Sequence, residues 1–406
     1  MAAANITPSP QPLSCVIPAQ TGIPDASQGV ERGLRRDDEG GAKRRALLAR
    51  LALVPWLLPS LLATAPQPAA ARQGKALETQ RPETEPGATA YRGREDVAAF
   101  AVEVAQRHGL DAQWTQDALA QARRIPSVAR LIMPAPPGTS KNWAAYRARA
   151  IDPVRIRAGL SFWNAQEAWL LKAEERWGVP ADIVVGIIGI ETLYGQHMGN
   201  YRTLDALATL SFDFPSGRSD RSEFFRAELG SFLLHCYNRG IDAPVPRGSY
   251  AGAMGMGQFM PSSVARYALD FDEDGAIDLS GSAADVIGSI AHYLAGFGWQ
   301  RGVPPRFAVA PPAQTQDRAV LLAPDITPTF TAQEFVERGA QLATELLAFD
   351  GKLALVELLN GDAAPSYVAG TDNFFAITRY NWSSYYALAV IELGEAIARE
   401  RGRVVL

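Results

Sequence analysis

Glu191 follows Val184-Val185-Gly186-Ile187-Ile188-Gly189-Ile190, a run in which no other side chain ionises. Burial in such a helix disfavours a charged carboxylate, and the last turn sets it against the negative end of the helix dipole. Both effects raise the pKa toward neutrality, the direction a general acid needs. The competing expectation is a glutamate turned to the surface at a helix end. Gly186 and Gly189, three apart, would let another backbone approach that helix closely. A second group is Gly248-Ser249-Tyr250-Ala251-Gly252-Ala253-Met254-Gly255-Met256-Gly257-Gln258, dense in glycine just ahead of a helix. Backbone there could approach a ligand, with Ser249 and Gln258 supplying hydrogen bonds. A loop that merely packs Met and Phe into the core is the alternative. The pattern is not a dinucleotide fingerprint, because the glycine spacing is wrong and no strand precedes it.

Asp270, Asp272 and Asp274 stand at positions one, three and five of a loop with Gly275 at six and Ile277 at eight. Alternating oxygens wrap a hard cation when glycine permits the sharp turn, as in an EF-hand. Position twelve should carry a bidentate glutamate but is Gly281, and the next carboxylate is Asp285. A solvated acidic turn is the alternative.

These groups need elements to hold them. Helical periodicity begins at Glu95 and returns around Trp114 to Arg124, ending near Pro126. After a connection with Pro134, Pro136, Pro137 and Gly138, residues 156–177 read as an amphipathic helix carrying Phe162, Trp163, Trp169 and Trp177. The helix bearing Glu191 should begin at Pro180 and close at Gly195. Further helices are expected at 203–211, 221–238, 261–269, 283–296 and 385–401. Residues 303–370 differ, with prolines and short apolar pieces such as 319–322 and 353–358, and read as a small part-β insertion. No internal repeat is visible.

Composition narrows the function. The 406 residues include 39 basic and 43 acidic side chains, a net charge of −4 that gives no basic excess for nucleic acid. Two cysteines exclude a disulfide scaffold, and four histidines never form HExxH. Residues 1–41 read as disordered. Lys43, Arg44, Arg45 and Arg50 then precede an apolar run from Leu51 to Ala65 with small residues at 63–65 and 69–71. That order reads as a secretory signal, or alternatively a single-pass anchor, and predicts a periplasmic destination. Pro55 and Pro59 interrupt the run, which is short for a membrane span.

The segments Ile187-Ile188-Gly189-Ile190-Glu191-Thr192, Leu204-Asp205-Ala206-Leu207-Ala208-Thr209-Leu210-Ser211-Phe212, Ala251 through Ser263 and Ile377-Thr378-Arg379-Tyr380-Asn381 resemble the membrane-bound lytic murein transglycosylase B family. The resemblance runs from about residue 95 to 400 with matching order and spacing. It implies a mainly α fold: a lysozyme-like catalytic core, an α-helical N-terminal domain, a small β-containing insertion and an EF-hand-like loop. The division expected is a leader with signal or anchor at 1–75, the α-helical domain at 76–150 and the core at 151–302, its acidic loop at 270–285. The β-containing region at 303–370 and a C-terminal segment completing the core at 371–406 follow.

The resemblance further implies cleavage of the β-1,4 bond between N-acetylmuramic acid and N-acetylglucosamine, leaving 1,6-anhydro ends, with Glu191 as sole acid/base. That agrees with the residues themselves, since no second carboxylate stands in a comparable apolar motif. The implied groove residues are Tyr146, Ser249, Gln258, Tyr293, Tyr380, Asn381 and Tyr386. The implied structural calcium ligands are Asp270, Asp272, Asp274, the Ala276 carbonyl and Asp285, with no organic cofactor. Asp285 lies one residue further along than the family spacing. An apparent insertion at 216–220 blurs whether Arg218 or Arg221 meets the glycan's peptide, and the usual lipobox is missing. Expected partners are peptidoglycan strands and cell-wall synthesis proteins, with the chain a monomer. The alternatives are a muramidase at the same site, a non-catalytic glycan-binding scaffold, and a calcium sensor built on the acidic loop.

Overall fold

The structure is a computed structural model that describes residues 81–134 and 141–402. The signal or anchor segment and Pro136 to Gly138 lie outside the described residues. Helices α1 (Glu95–His108) and α2 (Ala112–Ala120) are the first α-helices among the described residues, and a short ladder pairs β1 (Thr89–Ala90) with β2 (Arg123–Arg124). The second helix was expected to continue to Arg124. It stops at Ala120 because partners distant in sequence claim the next backbone groups. Asp205 accepts the Arg123 N–H at 2.9 Å and Thr209 accepts that of Ile125 at 2.9 Å. Helices α3 (Pro126–Leu131), α4 (Trp143–Ala150) and α5 (Pro153–Trp177) follow, the last kinked at Gln166.

Helix α6 (Ala181–Thr192) is the buried centre of the fold. Its apolar run leaves no face for solvent, so it forms only with other helices around it. It ends three residues before the expected Gly195, because Leu193 and Tyr194 themselves adopt left-handed conformations, φ 50° and 57°. Each such non-glycine residue costs about 1 kcal/mol or more, and the strain falls directly after Glu191.

Next come β3 (Tyr201–Arg202), α7 (Thr203–Phe212), α8 (Ser222–Arg239), β4 (Arg247–Gly248), α9 (Pro261–Tyr267) and α10 (Ala283–Gly296). Ser282 caps α10 by accepting the Asp285 N–H. Beyond α10 lie β5 (Arg306–Ala310), α11 (Thr315–Leu322), α12 (Ala332–Glu337), β6 (Gln341–Leu342), β7 (Ala354–Asn360) and β8 (Ala363–Gly370). The four strands form an antiparallel sheet in the order β6-β5-β8-β7. The apolar piece 319–322 is helical, lying in α11, whereas 353–358 contributes to β7. Leu321, Phe335, Leu353, Leu355 and Ala369 make a small core of their own, apart from the main one.

Helices α13 (Asp372–Tyr380) and α14 (Ser384–Glu400) return to the main core. There α14 lies antiparallel on α6 with a step of about one turn on each. Tyr386 meets Glu191, Val390 meets Gly186 and Gly394 meets Asp182. A Cβ on Gly186 would sit 2.3 Å from the Val390 carbonyl oxygen, and one on Gly394 would sit 2.3 Å from that of Asp182. Only glycine permits this approach, which fulfils the expectation for Gly186.

Candidate active site

Glu191 is 8% exposed at the C-terminal end of α6. The Tyr386 hydroxyl donates to Glu191 Oε1 at 2.7 Å, with α14 holding that tyrosine in its first turn. Burial pushes the Glu191 pKa up to about 8, and the Tyr386 hydrogen bond opposes the shift. The hydrogen-bond partner of Glu191 is thus a phenol and not a charged group. A carboxyl in this setting holds its proton near neutral pH and can deliver it where negative charge develops.

Tyr146 on α4 and Tyr380 on α13 complete the surroundings. Burial pushes the Tyr146 phenol up to about 12, with the Glu191 charge adding to the shift. Tyr380 and Tyr386 are raised well above the ordinary phenol value, first by burial and then by Glu191. All three are therefore neutral phenols near neutral pH. Tyr380 donates to the Gly257 carbonyl at 2.5 Å, and its ring packs edge-on to Phe259 and Tyr293. Tyr293, from α10, donates to the Arg379 carbonyl at 2.6 Å. It supports Tyr380 rather than Glu191.

The glycine-rich loop folds onto itself before α9. Met254 and Phe259 exchange backbone hydrogen bonds, and Met256 N–H reaches the Leu279 carbonyl at 2.8 Å. Thr192, next to Glu191, donates to the Met256 carbonyl at 2.7 Å and so fastens the loop to the end of α6. Ser249 Oγ accepts from Ala251 N–H and Ala253 N–H. Gln258 is buried at φ 52° and donates through Nε2 to the Met198 and Gly255 carbonyls. Its Oε1 is buried and has no hydrogen-bond partner among the described residues, an acceptor left for a ligand. Asn381 is buried at the end of α13, one residue beyond Tyr380.

The structure thus brings Tyr146, Tyr380 and Tyr386 to Glu191, seats Tyr293 behind Tyr380, and puts Ser249 and Gln258 on the adjoining loop. Sequence reasoning assigned no role to Thr192, although a hydroxyl beside the acid was the available signal. It also missed Glu228, 1% exposed, which accepts from Ser262 N–H and Oγ and so holds the start of α9. Its place among Phe225, Leu229 and Phe232 on one face of α8 was the clue. Arg218 donates to the Ile132 carbonyl and lies over the Phe214 ring, while Arg221 lies over Phe224 and Phe225.

In the acidic loop, Asp270, Asp272 and Asp285 each offer a carboxylate oxygen within 4.8 Å of the others. Asp272 Oδ1 is buried with no hydrogen-bond partner among the described residues, which suits a hard cation. Gly275, at position six, has φ 94°, the sharp turn that position requires. Asp274 lies outside the three-carboxylate group, and one of its oxygens accepts the Ala276 N–H at 2.8 Å. Asp285 accepts from Phe271 N–H and Asp278 N–H and ties the loop to α10. Phe271 packs between Trp169 and Trp177 of α5, which anchors the loop to the core.

A family model described as the transglycosylase SLT domain matches residues 92–395. Membrane-bound lytic murein transglycosylase B of Escherichia coli (strain K12) is 40% identical over 312 residues, 74% of this chain and 82% of that protein. The soluble lytic transglycosylase SltB1 of Pseudomonas aeruginosa superposes with a TM-score of 0.69 at 39% identity, over 76% of this chain and 99% of its own. The E. coli lytic transglycosylase Slt35 in complex with calcium gives 0.65 at 37% identity, over 76% and 94%. P. aeruginosa SltB3 in complex with NAG-anhNAM-pentapeptide gives 0.63 at 33%, over 77% and 80%.

Proposed function

From the premise that the chain belongs to the SLT-domain lytic transglycosylases, enzymes acting on peptidoglycan, we propose that Glu191 is its single acid/base. The observation that carries this reading is one buried carboxyl with a pKa of about 8, held by Tyr386. Glu191 donates its proton to the oxygen linking N-acetylmuramic acid to N-acetylglucosamine, and the C1–O bond breaks. The carboxylate then takes the proton of the muramic C6 hydroxyl as its oxygen bonds to C1. The substrate's own N-acetyl group stabilises the cation between the two steps. Water is neither consumed nor required, and the product is a 1,6-anhydro end. A two-carboxylate hydrolase would need a second carboxyl close by, whereas the hydrogen-bond partner of Glu191 is a tyrosine.

Tyr146 and Tyr380 offer ring faces and hydroxyls to the sugars, while Ser249, Gln258 and Asn381 supply hydrogen bonds to N-acetyl and hydroxyl groups. Tyr386 orients the acid, and Tyr293 supports Tyr380. Asp270, Asp272 and Asp285, joined by Asp274 and the Ala276 carbonyl, hold calcium, the ion in the related Slt35 complex. Bound there, calcium neutralises the crowded carboxylates and stabilises the fold, with no part in bond cleavage. The small core within 303–370 supports setting that β-containing region apart, and the other segments of the proposed division, 76–150, 151–302 and 371–406, share the main core. A periplasmic site of action follows from the substrate, and no described helix is long and apolar enough to cross a membrane.

Mass spectrometry of sugars released from purified peptidoglycan by the full chain tests the reaction. The expected muropeptides are one water lighter than hydrolysis products. Hydrated reducing ends would establish a muramidase instead, and no release would leave a binding scaffold.

A further inference from the structure

Lys141 stands beside the aromatic wall of the site, and none of the roles above uses it. Its ammonium lies 5.9 Å from the centre of the Tyr385 ring. That ring meets Trp143 and Tyr146 edge-on at 6.0 and 6.1 Å, and Trp143 stacks on Tyr146. Tyr146 feels the Glu191 charge, and the residue after Tyr385 is the tyrosine bonded to Glu191. Lys141 is thus two rings out from the acid. Its backbone is fixed to the β7–β8 turn, since its carbonyl accepts the Gly361 N–H at 2.9 Å and Asn142 pairs with Asn360.

The ammonium is partly desolvated, which lowers its pKa, and Asp325 opposes that shift. Among the described residues no hydrogen bond engages it. An ammonium with three donors and little water favours an anion. The substrate class supplies one on a chain that leads away from the sugar, because the pentapeptide borne by the ligand of the related SltB3 ends in a carboxylate.

We propose that Lys141 is a specificity-determining residue that binds a carboxylate of the stem peptide while Tyr146 meets the adjoining sugar. The identity of the ligand rests on the lytic transglycosylase reading, but the arrangement of Lys141 over Tyr385 does not. Titration calorimetry with the full chain would compare NAG-NAM-pentapeptide with the same disaccharide lacking peptide. Lys141→Gln should weaken pentapeptide binding about three- to tenfold, as loss of a partly screened charge-assisted contact does. Affinity for the peptide-free disaccharide should stay unchanged, and Lys141→Arg should retain most of the preference. Equal losses for both ligands would reduce Lys141 to a structural partner of Asp325 and overturn the proposal, as would no loss for either. The readout is binding, so a chain that bound selectively yet released no anhydro product would refute the lyase reading alone.

Discussion

Glu191 is buried with one tyrosine hydroxyl as its hydrogen-bond partner, whereas Asp270, Asp272 and Asp285 crowd together in a loop stitched by backbone N–H groups. The isolated carboxyl has no compensating charge, so burial leaves it protonated well above the usual carboxylate range. The clustered ones are partly paid in hydrogen bonds from backbone, yet Asp272 Oδ1 stays buried without one. One region therefore favours a held proton, and the other gathers three carboxylates that could hold a cation. The difference teaches that surroundings, more than the group itself, assign a carboxylate its chemistry. The two regions are also joined, because Met256 of the glycine-rich loop binds both Thr192 and Leu279.

The sharpest way to break this contrast is Glu191→Gln, which should lower turnover about 10³-fold while sparing sugar binding. The same variant should alter stability with pH in a defined sense. The folded chain keeps the Glu191 proton up to about pH 8, whereas the unfolded chain releases it near the ordinary carboxyl value of 4.5. Folding therefore binds a proton in that window, and wild-type stability falls as pH rises through it. Melting curves of the variant should lack that slope. Parallel curves would show that Glu191 is not destabilised by burial, and normal turnover would refute its role outright.

Calcium withdrawal probes the other region. A chelator should lower the melting temperature by about 5 °C when calcium had been near a hundredfold above its dissociation constant. Asp272→Asn should blunt that response and Glu191→Gln should leave it intact. An unchanged melting temperature on chelation would mean that backbone N–H groups alone satisfy the loop. The smallest expected effect is that of Tyr386→Phe, about tenfold in kcat. Its hydrogen bond lowers the Glu191 pKa, so its loss should move the high-pH limb of activity upward. A limb that stayed in place would show that Tyr386 serves only packing.

Much of this was legible beforehand where the signal is local. The amphipathic run of 156–177 became α5, Gly186 marks a close helix approach while Gly189 meets side chains, and the acidic spacing marked a turn with glycine at its sharpest point. The misses share a cause. Gly195 looked like the end of α6, but Leu193 and Tyr194 end it sooner, held in left-handed conformations by packing that no propensity encodes. Arg123 and Arg124 read as helix until Asp205 and Thr209, more than eighty residues away, claimed the neighbouring N–H groups. Lys141 carried no signal at all, because a lone lysine after a proline-rich stretch reads as a solvated charge.

The sequence by itself determined which residues could do chemistry: a lone carboxylate in an apolar helix, a glycine-rich loop, and alternating aspartates around a glycine. These are patterns of residue type over a few turns, and local physics governs them. Only the tertiary structure decided their working state. Tyr386 lies 195 residues from Glu191, and it arrives because Gly186 and Gly394 let α14 settle against α6. The raised pKa of Glu191 and the neutral Tyr386 both depend on removing water from that contact. Desolvation belongs to the assembled core, and no single segment of the chain possesses it.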